Sequence, residues 1–319
     1  MTTLDLRAER IVVTGASGFL GHHVMQELQE RGADPMAVRS VEYDLRQEAE
    51  VARMYRQLQP TVVFHLAAEV GGIGANRRHP GQFFYNNLIM GANLIEHGRR
   101  VGLRKFVSVG TVCSYPKITA VPFREDDIWN GYPEETNAPY GLAKKMQMVQ
   151  LQAYRTEYGF CGIHLLPSNL YGPHDHFDEE NGHVIPAMIL KFARAVASGA
   201  DEVVLWGDGT PTREFLYAGD CARGLCMAAE RLTEPVPVNL GTGVETSIRE
   251  VAHAIAEGLG FRGTICWDHS RPNGQPRRSL DTHRARDLFG FRAQVALAEG
   301  LRTTLDWYRS GPPRTTSRG

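Results

Sequence analysis

The sequence predicts an α/β protein: a parallel, doubly wound sheet with a second, smaller α/β lobe. Short β-branched runs alternate with helical patterns from Ile11 onward, a glycine-rich turn joins the first run to the first helix, and Val238-Asn239-Leu240 reads as another buried parallel strand far downstream. That late strand divides the chain into residues 1–172 plus 213–241 for the sheet, and 173–212 plus 242–310 for the smaller lobe. A length of 319 residues, beyond the usual single core, fits two interleaved lobes.

Ile11-Val12-Val13 stops at Thr14-Gly15-Ala16-Ser17-Gly18-Phe19-Leu20-Gly21, and a helical pattern through Val24 and Leu28 follows. This order is a Rossmann-type dinucleotide fingerprint spaced GxxGxxG. Gly15 permits the tight turn, Gly18 lets amides approach a pyrophosphate, and Gly21 lets the helix pack closely. Ser17, Phe19 and Leu20 complete the loop and the helix start, whose free amides suit phosphate. The second strand, residues 35–38, ends at Arg39 with no acid for a ribose hydroxyl. An arginine there fits a 2′-phosphate, pointing to NADP over NAD, or is a surface loop residue. Asp44 suits an adenine amino group.

Residues 62–68 form a buried-strand run ending Leu66-Ala67-Ala68, with small residues where backbone meets a cofactor. His65 within it reads as a hydrogen-bonded core histidine. Gly71-Gly72-Ile73-Gly74 reads as a flexible loop, and a helix is expected from about 83 to 101. Phe106-Val107-Ser108-Val109 then delivers Thr111 and Cys113 at the strand edge where open α/β sheets bind ligands.

Tyr140 and Lys144 are four apart, so a helix projects both from one face. An ammonium beside the phenol favours phenolate, drawing its pKa from about 10 towards neutrality, as acid/base work on a sugar alcohol or ketone requires. A strand over 162–167 runs into Asn169-Leu170-Tyr171-Gly172-Pro173, and an acid-rich loop leads to His183 at a helix start. That helix carries Lys191 and Arg194. A strand ends at Trp206, and Arg213 to Tyr217 precedes a helix from Cys221 to about Arg231. Residues 311–319 read as a disordered tail.

Net charge is −1, which gives no reason to expect nucleic acid or an anionic membrane as partner. Five cysteines without CxxC spacing argue against disulfides and structural metal and fit a reducing cytoplasm. No apolar run approaches the ~20 residues of a membrane span, and the N-terminus has no signal-peptide core.

The glycine triplet, Thr111, Tyr140 and Lys144 occur with Val70-Gly71-Gly72-Ile73, Cys113-Ser114-Tyr115-Pro116-Lys117 and Asn169 to Asp175. His183-Val184-Ile185-Pro186-Ala187, Trp206 to Leu216, Asn239 to Gly243 and Gly274 to Arg278 extend the pattern. On these residues the chain resembles the extended short-chain dehydrogenase/reductase (NAD-dependent epimerase/dehydratase) family, nearest its GDP-L-fucose synthase branch, over roughly residues 10–308. The resemblance implies an NADPH-dependent epimerase/reductase acting on GDP-4-keto-6-deoxy-mannose. It puts Tyr140 and Lys144 on the catalytic pair, Thr111 on the catalytic serine, and Cys113 and His183 on the base and acid of epimerisation. Lys191, Trp206, Arg213 and Arg278 fall on nucleotide-sugar positions, Arg39 on the NADP phosphate position, and Asn169 joins the cofactor contacts. A homodimer through the helices near 83–101 and 140–158 is implied too. Leu88, Met90, Leu94, Ile95, Met146, Met148, Val149 and Leu151 there exceed what one sheet-facing stripe needs.

Two departures stand out: Ser17 where the family often has arginine, and Glu69 where the synthases have lysine. Three readings follow. In the first, a carbon-4 ketone acidifies the protons at carbons 3 and 5, a thiolate and a histidine invert those centres, and NADPH reduces the ketone. In the second, a GDP-sugar epimerase retains its cofactor and oxidises carbon 4 only transiently, as GDP-mannose 3,5-epimerases with a cysteine beside the serine/threonine position suggest. In the third, the chain is a catalytically silent NADP-binding interaction protein, which would need neither the Tyr140/Lys144 pair nor Cys113 and His183. Singly, Cys113 also reads as a small buried hydrophobe and His183 as a helix-start residue.

Overall fold

The computed structural model describes residues 3–71, 73–178, 182–271 and 273–311. The first half runs β1 (Ile11–Thr14), α1 (Phe19–Glu30), β2 (Met36–Val38), α2 (Glu48–Leu58), β3 (Val62–His65), α3 (Ile73–Arg78), α4 (Pro80–Arg100), β4 (Lys105–Val109), α5 (Ala138–Tyr158) and β5 (Gly162–Pro167). Then come β6 (Asn169–Tyr171), α6 (Val184–Ser198), β7 (Glu202–Trp206), β8 (Thr212–Tyr217), α7 (Ala218–Arg231), β9 (Pro237–Leu240) and β10 (Glu245–Ser247). The chain continues through α8 (Ile248–Leu259), β11 (Thr264–Asp268), β12 (Arg277–Arg278), α9 (His283–Phe289) and α10 (Leu297–Arg309).

Six parallel strands form the main sheet in the order β2-β1-β3-β4-β5-β9. Both faces are covered, so β1, β3, β4 and β5 are buried throughout and read as continuous runs rather than alternating ones. Ile11 and Val13 face the core under α1 and α7, while Val12 faces the core of α2, α4 and α5. The polar exceptions are hydrogen-bonded: Thr14 to His65 at 2.9 Å, Ser108 to both His164 and Gln147, and Lys105 to the Leu232 carbonyl. His65 is thus the bonded core histidine its neighbours implied. Strand order reverses at β1, which opens a crevice at the C-terminal edge between β1 and β3.

Of residues 213–241, α7 packs on α1 and β9 pairs with β5. β8 does neither: it pairs with β6, β10 and β12 in a separate four-stranded sheet, and β7 pairs with β11. A second core, with Ile189, Phe192, Val203, Phe215, Ile255 and Leu305, lies under these strands.

Two expectations need correction. α3 begins at Ile73, where a flexible loop was expected, with Gly72 outside the described residues. The apolar stripe assigned to a partner lies largely inside the protomer: Met90, Leu94, Ile95, Met148 and Leu151 are buried, because α4 and α5 pack on each other as well as on the sheet. Leu88 and Met146 are half-buried, and Val149 is exposed. The tail expected at 311–319 falls, from residue 312 on, outside the described residues.

Candidate active site

β4 ends below Thr111, which caps a short 3-10 turn over Val112–Ser114; its Oγ1 accepts the Cys113 amide at 3.2 Å. The hydroxyl proton remains available to an acceptor in front of the strand edge. α5 approaches this turn so closely that a Cβ on Gly141 would lie 2.4 Å from the Cys113 carbonyl oxygen. Ser114 Oγ donates to the Gly141 carbonyl at 2.9 Å and fixes the contact. A glycine immediately after Tyr140 therefore brings the phenol to the cysteine.

The electrostatics of Tyr140 and Lys144 differ from the simple expectation. Burial pushes the Tyr140 phenol up from its usual range, and Cys113 adds to the rise. Lys144 is only 2 % exposed, and burial lowers its pKa to about 8. Desolvation moves both groups against the direction that i, i+4 spacing suggested. At neutral pH the pair is a protonated phenol and a cation, a state made to give a proton to a developing alkoxide. His183 stands at the N-cap of α6 without a capping bond of its own. Its Nδ1 is 3.6 Å from Asp175 Oδ1, and that carboxylate raises its pKa.

A single cleft of about 1710 Å³ is lined by every site residue the sequence singles out. The glycine turn and start of α1 contribute Gly15, Ser17, Gly18, Phe19, Leu20 and Gly21, and the ends of β2 and β3 bring Arg39, Asp44, Leu66, Ala67 and Ala68. Thr111, Cys113, Tyr140, Lys144, Asn169 and His183 join them with Lys191, Trp206, Arg213 and Arg278. Gly15 has φ +71°, and a Cβ there would lie 2.7 Å from the Ala67 amide. Gly18 caps α1 with no side-chain bond, so the first-turn amides keep their donors for a ligand, and a dinucleotide pyrophosphate fits this cradle.

Around the cleft, Arg39 pairs with Glu42 at 2.6 Å and Asp44 with Arg46 at 2.8 Å. Asn169 Nδ2 donates to the Glu214 carbonyl at 2.9 Å, and Lys191 Nζ to the Val204 carbonyl at 3.2 Å. Trp206 is 61 % exposed, with the Arg271 guanidinium 5.2 Å from its ring. Glu69 also lines the cleft, its carboxylate held by Asn86 and Gln82. Sequence reasoning missed Asp175 as a partner of His183; the only local signal is its place at the end of the Asn169 to Asp175 motif. Among the described residues no group of three or more His, Cys, Asp or Glu could hold a metal ion, and no helix is long and apolar enough to cross a membrane.

Comparison with known proteins agrees with this geometry. GDP-L-fucose synthase 1 of Arabidopsis thaliana is 37 % identical over 97 % of this chain and 95 % of its own. GDP-L-fucose synthase of Escherichia coli K12 is 35 % identical over 96 % and 98 %. A structure of a GDP-L-fucose synthetase from Naegleria fowleri bound to NADP superposes with a TM-score of 0.88 at 27 % identity, covering 97 % of this chain and 96 % of that one. The family model described as "NAD dependent epimerase/dehydratase family" matches residues 11–241, and the chain belongs to that family of enzymes.

Proposed function

We propose that this chain is an NADPH-dependent epimerase/reductase of the GDP-L-fucose synthase kind: it inverts carbons 3 and 5 of a GDP-4-keto-6-deoxy-hexose and then reduces carbon 4. The observation that carries the reading is the convergence of two proton-handling sets, Cys113 with His183 and Tyr140 with Lys144, on the cleft that also holds the glycine cradle. The names of the relatives and the NADP-bound neighbour support the sugar and the cofactor.

Bound NADPH supplies the hydride for carbon 4. Cys113 takes a proton from the carbon flanking the ketone, and His183 returns one to the opposite face. Tyr140 gives its proton to the carbon-4 oxygen, Lys144 steadies the phenolate left behind, and Thr111 donates to the ketone oxygen. Arg213 and Arg278 neutralise the diphosphate, while Lys191 and Trp206 hold the nucleotide-sugar. Arg39 would hold the 2′-phosphate of bound cofactor, Asp44 the adenine amino group, and Asn169 would join the cofactor contacts.

On this reading residues 1–172 with α7 and β9 hold the cofactor, residues 173–212 and 242–310 hold the sugar nucleotide, and β8, which carries Arg213, forms the seam between them. The enzyme works in the cytoplasm as a homodimer. Phe84 and Tyr85 on α4 and Val149 on α5, all exposed, supply the apolar contact.

Purified protein mixed with NADPH and GDP-4-keto-6-deoxy-mannose should consume NADPH mole for mole as the carbon-4 ketone becomes an alcohol. Glu69 places an anion at the cleft where the synthases carry a cation, which favours a redox-neutral epimerase as the second reading. That enzyme would invert centres with no net loss of NADPH absorbance, and a silent binding protein would do neither.

A further inference from the structure

His174 has a left-handed backbone, φ +67°, and its ring stacks on His22 of α1 at 4.2 Å and lies 5.0 Å from Trp307 of α10. The residue after it, Asp175, turns inward and is only 6 % exposed. Asp175 Oδ1 accepts the His176 amide at 2.7 Å and faces His183 Nδ1 at 3.6 Å. Its Oδ2 is buried with no hydrogen-bond partner among the described residues. A carboxylate held this way is costly unless its charge acts on a neighbour.

The neighbours single out His183. On α1, His23 feels the same carboxylate, but its Nε2 is engaged with the Pro173 carbonyl at 3.0 Å and burial lowers its pKa. His176 lies 3.8 Å from Asp178, and Lys191 on α6 donates to the Val204 carbonyl. His174 is pushed down by burial and by His22 and His23. His183 moves the other way, raised first by Asp175.

We propose that Asp175 is the positioning residue for His183, orienting Nδ1–H toward Oδ1, leaving Nε2–H for the cleft, and keeping the imidazolium charged until it protonates the substrate. The inference rests on the reading that His183 returns the proton at carbon 3 or 5. In that step the Nε2–H bond breaks as the new C–H bond forms on the face opposite Cys113. Cys113 keeps the proton it removed until solvent takes it, and nothing is oxidised or reduced.

The test follows solvent deuterium entering carbons 3 and 5 of the 4-keto sugar nucleotide against pH, with NADP present, in the full chain. In D175N the neutral-pH rate should fall about 10- to 100-fold, and the alkaline limb should move down by about one pH unit or more, since a lost anion lowers the imidazole pKa. D175E should restore much of that limb, and NADPH binding should match wild type in both, showing a folded protein. A D175N rate reduced equally at every pH, with the limb unmoved, would overturn the proposal in favour of a loop-packing role. H183N exchanging like wild type would instead overturn the reading of His183, and the proposal with it.

Discussion

Arg213 on β8 and Arg278 on β12 are register partners in a parallel strand pair, two guanidiniums side by side at the cleft. Arg213 donates to the Thr212 carbonyl and Arg278 to Gln275 Oε1; neither has a carboxylate partner among the described residues. Burial, and then Arg278, lower the Arg213 pKa to about 10. A diphosphate relieves both costs at once. Arg278→Ala should weaken binding of GDP alone by about 10- to 100-fold, and raise KM for the sugar nucleotide more than it lowers kcat. Unchanged GDP affinity by calorimetry would place the diphosphate elsewhere.

Arg39 is tied to Glu42 across the mouth of the cofactor cradle. Arg39→Ala should weaken NADPH binding about 10- to 100-fold and leave NADH binding nearly unchanged. Titration of both cofactors by fluorescence reads this directly, and an equal loss for the two would remove Arg39 from 2′-phosphate recognition.

Burial of Lys144 carries a stability cost. Its folded pKa of about 8 lies below the usual lysine value of 10.5, so the folded state gives up its proton first. Between those two values the unfolded chain binds more protons, and wild-type stability gains as pH rises through that window. Lys144→Met should therefore melt a few degrees above wild type at pH 7, with the gap shrinking from about pH 8 upward, while reduction is lost. A Lys144→Met variant melting below wild type at pH 7 would show that the ammonium stabilises the fold.

Glu214 ties the seam together from a fully buried position on β8. Oε1 accepts the Thr242 and Gly243 amides, and Oε2 accepts the Leu280 amide at 2.6 Å and the Ser279 hydroxyl at 3.1 Å. Glu214→Gln turns one acceptor into a donor facing donors. The expected loss is about 1–3 kcal/mol, or roughly 2–10 °C in Tm by calorimetry. An unchanged Tm would mean that these loops hold their places without the carboxylate.

The cradle and the Tyr140/Lys144 helix were legible because each is a local pattern, a glycine spacing or an i, i+4 pair. β9 was legible too, since a strand buried on both faces is apolar wherever it falls in the chain. The company of β8 was not: Arg213-Glu214-Phe215-Leu216-Tyr217 opens on two charged residues before its apolar run, and only pairing with β6, β10 and β12 assigns its sheet. The same holds for Met90 and Leu151, whose helical spacing cannot distinguish a neighbouring helix of the same chain from a partner's. Burial also reversed the expected direction for Tyr140, because desolvation depends on what packs around the phenol and not on its spacing from Lys144. Asp175 meets His183 eight positions on in the chain, a contact no spacing rule encodes.

The central claim is that one ketone is served by two residue sets with separate tasks. It is tested most directly by deuterium wash-in at carbons 3 and 5 of the 4-keto sugar nucleotide, read by mass spectrometry with NADP present and no NADPH. Tyr140→Phe should still take up deuterium although it no longer reduces, since the ketone alone acidifies those protons. Cys113→Ser should exchange more slowly by about 10²- to 10⁴-fold, the usual loss for a positioned base. Full exchange in Cys113→Ser together with none in Tyr140→Phe would contradict the division of labour.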